Sequence, residues 1–93
     1  MEFEWDELKS EACFVQRGFD FAYVLHAFSD PNRLINHDKR WDYGEERYQM
    51  LGAIERRVFV VVYTVRGSRI RIISARKANK REVGFYENGT RKS

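Results

Sequence analysis

The sequence predicts an α+β fold, a small antiparallel sheet of about four strands with two helices before it and one after. Three observations carry that reading. Between Asp6 and Asp30, apolar residues recur at helical spacing behind aspartates suited to start helices. Between Arg47 and Ala75, β-branched and aromatic residues fill strand-length runs separated by turn pairs. The chain has 93 residues, 43% hydrophobic and 15% aromatic, enough for one core and too short for a second. Residues 1–93 are therefore expected to form a single domain.

Phe3 and Trp5 alternate with Glu2, Glu4 and Asp6, a short strand pattern. Asp6 suits an N-cap, Leu8, Ala12 and Val15 recur at helical spacing, and Gly18 supplies the left-handed residue that commonly stops a helix. The first helix is thus expected over Glu7–Arg17. Asp20 suits a second N-cap, with Phe19 and Val24 placed as a hydrophobic staple and the run closing at Asp30-Pro31, which gives a second helix over residues 21–28. Residues 29–46 are polar apart from Leu34-Ile35, Trp41 and Tyr43, which reads as one short strand and an exposed loop. Residues 47–53, 57–66 and 69–75 read as strands. Ala78, Val83, Phe85 and Tyr86 predict a C-terminal helix, weakened by Gly84 and ended at Asn88-Gly89, with residues 90–93 a mobile tail.

Gly67-Ser68 suits a two-residue hairpin turn. Such a turn pairs Arg66 with Arg69, Thr64 with Arg71, Val62 with Ile73 and Val60 with Ala75. A turn at Glu55-Arg56 then sets Arg47 opposite Thr64, so Arg47, Thr64 and Arg71 form one row across adjacent strands. In this register Arg76 points away from Arg71 unless the strand carries a bulge. Like charges facing one another destabilise a sheet, so Arg66, Arg69 and Arg71 call for flanking carboxylates or an anionic ligand. Two readings stay open: a solvated, protected sheet face, or phosphate binding, for which the planar and permanently charged arginine fork is suited.

The 17 Lys and Arg outnumber the 14 Asp and Glu by a formal charge of +3, a small excess whose placement matters more than its size. The first dozen residues are acidic, and the stretch from Arg56 to Arg81 is dense in arginine and lysine, as a surface facing an anionic polymer would be. The single cysteine, Cys13, cannot form an internal disulfide, and the chain opens on no secretory-signal pattern, so a reducing cytoplasm is expected. The longest apolar run, residues 58–63, is far short of the roughly 20 residues of a membrane helix.

Taken in order, Phe3-Glu4-Trp5-Asp6, Lys9, Gly18 with Phe21, Phe28 before Asp30-Pro31, Gly44-Glu45-Glu46-Arg47, the run 60–64, and Arg71-Ile72-Ile73-Ser74-Ala75-Arg76 followed by Glu82 and Tyr86-Glu87 form an ordered set. With it the chain resembles the BrnT toxin family over nearly its whole length. The resemblance implies a RelE-like fold and a metal-independent, RNA-cleaving toxin of a type II toxin–antitoxin system that inhibits translation and growth. It also implies neutralisation by a BrnA-type antitoxin that carries the DNA-binding part, so DNA is met only through that partner. RNA and the antitoxin are the expected partners, with no cofactor and no membrane. The chain departs from the family where Cys13 replaces the usual Asn and Gln16-Arg17 the usual Lys-His pair. Arg17 supplies charge and hydrogen bonds but not the proton exchange of a histidine near neutral pH. A catalytically degenerate module that only binds antitoxin or RNA is therefore the rival reading.

Metal-independent RNA cleavage needs the 2′-hydroxyl deprotonated, the pentacovalent phosphate stabilised and the leaving 5′-oxygen protonated. Arg47, Arg71 and Arg76 are the candidate phosphate binders. Lys9 and Arg17, with Arg66 and Arg69, extend the candidate RNA-binding set. Glu45 or Glu46 is the candidate base, or else an ion-pair partner of Arg47 and its neighbours. Tyr86 is a candidate acid or positioning group, or else a core tyrosine with its hydroxyl at the rim. Trp41 and Tyr43, beside Lys39 and Arg40, are placed to stack on RNA bases, or else to join the core or the antitoxin contact. His37 and Asp38, with Asp30 and Asp42, lack a recognised ligand spacing, so no metal site is expected. Cys13 has no adjacent base to activate it and receives no role.

Overall fold

The computed structural model describes residues 2–39, 42 and 44–91. Trp41 and Tyr43 lie outside the described residues, as do Lys92 and Ser93 of the expected tail. In chain order the elements are β1 (Glu2–Trp5), α1 (Glu7–Arg17), α2 (Phe21–Val24), a 3-10 turn (Leu25–Ser29), β2 (Leu34–Asp38), β3 (Arg47–Ile54), β4 (Arg57–Arg66), β5 (Arg69–Lys77) and α3 (Lys80–Arg91). The α+β expectation holds, but the sheet has five strands, ordered β1-β5-β4-β3-β2, where about four were expected. It is also mixed. β2, β3, β4 and β5 pair antiparallel, whereas β1 runs parallel to β5. β1 reaches that edge from the far end of the chain, so no hairpin imposes an antiparallel direction on it.

The expected caps form. The Asp6 carboxylate accepts from the amides of Leu8 (2.9 Å) and Lys9 (3.4 Å), and Gly18, at φ 85, closes α1 by donating to the Phe14 carbonyl at 2.9 Å. The face that Leu8, Ala12 and Val15 mark is, however, the outward one: Leu8 is 76% and Val15 82% exposed. α1 turns Ser10 and Cys13 inward instead. These small side chains let the helix lie close to its neighbours, with Ser10 Oγ accepting from the Phe21 amide at 3.0 Å and Cys13 Sγ contacting the Ala75 carbonyl at 3.6 Å.

The second helix is shorter than expected. Asp20 caps it by accepting from the Tyr23 amide at 2.9 Å, but after Val24 the backbone tightens into the 3-10 turn, because Asp30, extended before Pro31, must leave the helical path. That turn presses on β3 at Gly52, where a Cβ would lie 2.8 Å from the Ala27 carbonyl oxygen.

The main core lies between these helices and one face of the sheet, around Phe21, Val24, Met50, Phe59, Val61 and Ile72. On the other face a smaller cluster of Leu51, Val58 and Val60 packs under Val83 and Tyr86 of α3. α3 opens on a capping box: the Asn79 amide donates to Glu82 Oε1 and the Glu82 amide to Asn79 Oδ1, each at 2.9 Å. The helix does not end at Asn88-Gly89 but continues to Arg91. Gly89 packs closely there: a Cβ would meet the end of the Leu34 side chain at 2.8 Å. No described helix is long and apolar enough to cross a membrane.

Candidate nucleic-acid interface

The β4–β5 hairpin keeps the expected register near its turn, with Arg66 opposite Arg69 and Thr64 opposite Arg71. A bulge beside Val62 and Tyr63 then shifts the pairing, so Val62 faces Ser74 and Val60 faces Arg76 rather than Ile73 and Ala75. Directly opposed residues of an antiparallel pair share a face. The bulge therefore turns Arg76 to the side of Arg71 and away from the main core. The strict Arg-Ile alternation of residues 69–72 breaks at Ile72-Ile73, and this phase break is the sequence signal of the bulge.

On β3 the pairing of Tyr48 with Tyr63 sets Arg47 beside Thr64 in the same register. Glu4 aligns with Arg71 at one edge and Asp38 with Arg47 at the other. Glu4, Arg71, Thr64, Arg47 and Asp38 thus form one row across the whole sheet, on the face opposite α1. Thr64 Oγ1 donates to the Glu46 carbonyl at 2.6 Å, tying the loop before β3 to the row.

Carboxylates flank the arginines. Arg69 pairs with Glu2 at 3.0 Å, Arg71 with Glu4 at 3.3 Å and Arg66 with Glu45 at 3.1 Å, while Arg47 Nε stands 3.9 Å from Glu45. Arg76 makes a forked pair with Glu82, at 2.7 and 2.8 Å. That fork, more than the opposing effect of burial, holds the Glu82 carboxyl below its ordinary pKa, aided by the Asn79 amide. The side chains of Arg47 and Arg71 are only 27% and 26% exposed. The two candidate bases differ: Glu45 lies between Arg47 and Arg66, whereas Glu46 contacts the His37 imidazole. His37 stacks on Tyr48 and Tyr48 on Tyr63, a pairing that the sequence reading missed.

Lys9 and Arg17 stand apart from this row, in a cleft of about 370 Å³ along β5 shared with Gln16, Ser74 and Arg76. Arg76 thus links the cleft to the arginine face. Cys13 lines the same cleft, and burial pushes its thiol above the ordinary value despite the nearby Arg17 charge. Tyr86 lies on the sheet-facing side of α3, donating to Asp30 Oδ2 at 2.5 Å. Burial and that carboxylate push the phenol up to about 12. Among the described residues, no group of His, Cys, Asp and Glu is placed to hold a metal ion.

The geometry defines a small α+β fold that sets Arg47, Arg71 and Arg76 on one sheet face, with Lys9 and Arg17 in the cleft beside it. The chain belongs to the family of ribonuclease toxins, BrnT, of type II toxin–antitoxin systems, which it matches over residues 5–82. No curated protein matches it. The matched span includes α1 and every arginine of the face and ends before Phe85 and Tyr86.

Proposed function

We propose that this toxin is a metal-independent endoribonuclease whose reacting phosphate sits on the row of Arg47, Thr64 and Arg71. The observation that supports it most is the alignment of Arg47 and Arg71 across one row, each partly sheltered and each beside a carboxylate. A guanidinium has five N–H donors, so the contact of Arg71 with Glu4 orients the fork and leaves donors for phosphate oxygens. The 2′-oxygen attacks phosphorus as Glu45 takes its proton, and the bond from phosphorus to the 5′-oxygen breaks as solvent water protonates that oxygen. Arg66, Arg69 and Arg76, with Lys9 and Arg17 in the neighbouring cleft, guide the RNA backbone, and Trp41 and Tyr43 stack on bases. Tyr86 acts as a positioning group through Asp30. Glu46 serves the fold through His37.

The same reading makes the domain RelE-like, places it in the cytoplasm, and gives it a BrnA-type antitoxin as the partner that suppresses its inhibition of translation and growth. DNA is reached only through that antitoxin. A second reading, a binding module without turnover, is favoured by the carboxylates that answer the arginines, as inert ion pairs would. One experiment separates them: the purified chain is incubated with labelled RNA in EDTA beside Arg71→Ala. Cleavage that resists EDTA and disappears in the variant supports the enzyme. Intact RNA with a folded wild type that leaves growth unchanged would overturn it in favour of the binding module.

A further inference from the structure

We propose that the groove between α3 and the β2–β3 edge is a subsite for an unpaired nucleobase, with adenine its best match. The inference rests on the ribonuclease reading. It begins from the sheet register, which sets a second row directly below the arginines: Asn36 faces Gln49, Gln49 faces Val62 and Val62 faces Ser74. Gln49 is two residues from Arg47 on β3, so the rows are about 7 Å apart, a step comparable with that from a nucleotide's phosphate to its own base.

At this second row α3 overhangs the sheet and leaves a groove of about 700 Å³. Leu34 and Leu51 are its apolar lining, and Phe85, 53% exposed, stands on the helix side with the Arg81 guanidinium 5.6 Å from its ring centroid. Among the described residues the side-chain amides of Asn36, Gln49 and Asn88 make no hydrogen bond, whereas Asn79 is used by the capping box. The carboxylate of the groove, Glu82, is already held by Arg76.

A neutral flat ligand suits such a lining better than an ion does. Phe85 offers a stacking face to a base splayed out of a single strand. A carboxamide presents a donor and an acceptor side by side, which matches the amino group and N7 of adenine; the O6 and N7 of guanine ask for two donors. The arginine row holds the phosphate and the amide row reads the base attached to it, which makes Asn36, Gln49 and Phe85 specificity-determining residues outside the cleavage chemistry.

The test uses the full chain and four labelled 2′-O-methyl tetranucleotides, oligo-A, oligo-G, oligo-C and oligo-U, which bind without being cleaved. Wild type should bind oligo-A about fivefold tighter than the others or more, the lower end for a bidentate amide contact. Gln49→Ala and Asn36→Ala, both checked for native melting, should erase the preference and leave oligo-U affinity within about twofold. Equal affinity for all four, weakened by Arg71→Ala, would remove the subsite and keep the ribonuclease reading. A preference that survives both amide variants would also remove it. If no oligomer binds at all, the ribonuclease reading fails and the subsite with it.

Discussion

Asp30 joins parts of the chain that are remote in sequence. Buried beneath α3, it accepts from the amides of Asn32 (2.9 Å) and Ala53 (2.8 Å) and from the Tyr86 hydroxyl. Burial pushes its carboxyl up, but these hydrogen bonds and the Arg33 charge outweigh that effect and hold the pKa below the ordinary value. Tyr86→Phe removes one donor from a sheltered carboxylate and should cost about 1–3 kcal/mol in urea unfolding. A change of a few tenths would show that the hydroxyl is replaceable by solvent. Glycines give a second residue-scale contrast. Gly52→Ala drives a methyl against the Ala27 backbone, which cannot swing aside, and should lower stability by about 1–3 kcal/mol. Gly89→Ala meets the end of the Leu34 side chain, which can rotate, so its unfolding midpoint should lie well above that of Gly52→Ala.

Elements were legible where their signals are local. Asp6, Gly18 and Asp20 mark their helix ends because a cap is decided within about one turn. The Arg47, Thr64 and Arg71 row follows from counting residues between two tight turns. The inward face of α1 was not legible, because helical periodicity shows that a stripe exists and leaves open whether a neighbour covers it. Close approach selected Ser10 and Cys13 over the larger Leu8 and Val15. Replacing Leu8 or Val15 by Ala should therefore change stability by only about half a kcal/mol, as at other open surfaces; a loss typical of core leucines would place that face inside. The turn between β3 and β4 carries its own strain, with Glu55 at φ 49 and Arg56 at φ 71. Both angles suit Asn-Gly far better, so the Glu55→Asn, Arg56→Gly variant should gain about 1 kcal/mol. Unchanged stability would mean that the turn is not strained.

Across the whole molecule, the edges of the fold are attached through carboxylates. Glu2 and Glu4 bind β1 to β5, and Glu82 and Asp30 bind α3 to β5 and to the core. The arginines were visible in the sequence, but these partners were not: Arg71 meets Glu4 across 67 positions and Tyr86 meets Asp30 across 56. Nothing local announces pairings made by the parallel edge strand and the terminal helix. The attachments have a pH signature. The folded pKa values of Glu82 and Asp30 lie below their ordinary ones. Their contribution is therefore complete above the unfolded carboxylate value, about 4, and is lost as pH falls through the lower folded values. Urea unfolding followed from pH 7 downward should be level to about pH 5 and then decline. In Glu82→Gln the neutral side chain has no proton left to gain, so the variant should start less stable at pH 7 and decline less steeply. A decline as steep as the wild type's would mean that the Arg76 fork does not hold Glu82 in the folded state, and that α3 stays on the sheet through its apolar contacts and the Tyr86–Asp30 hydrogen bond.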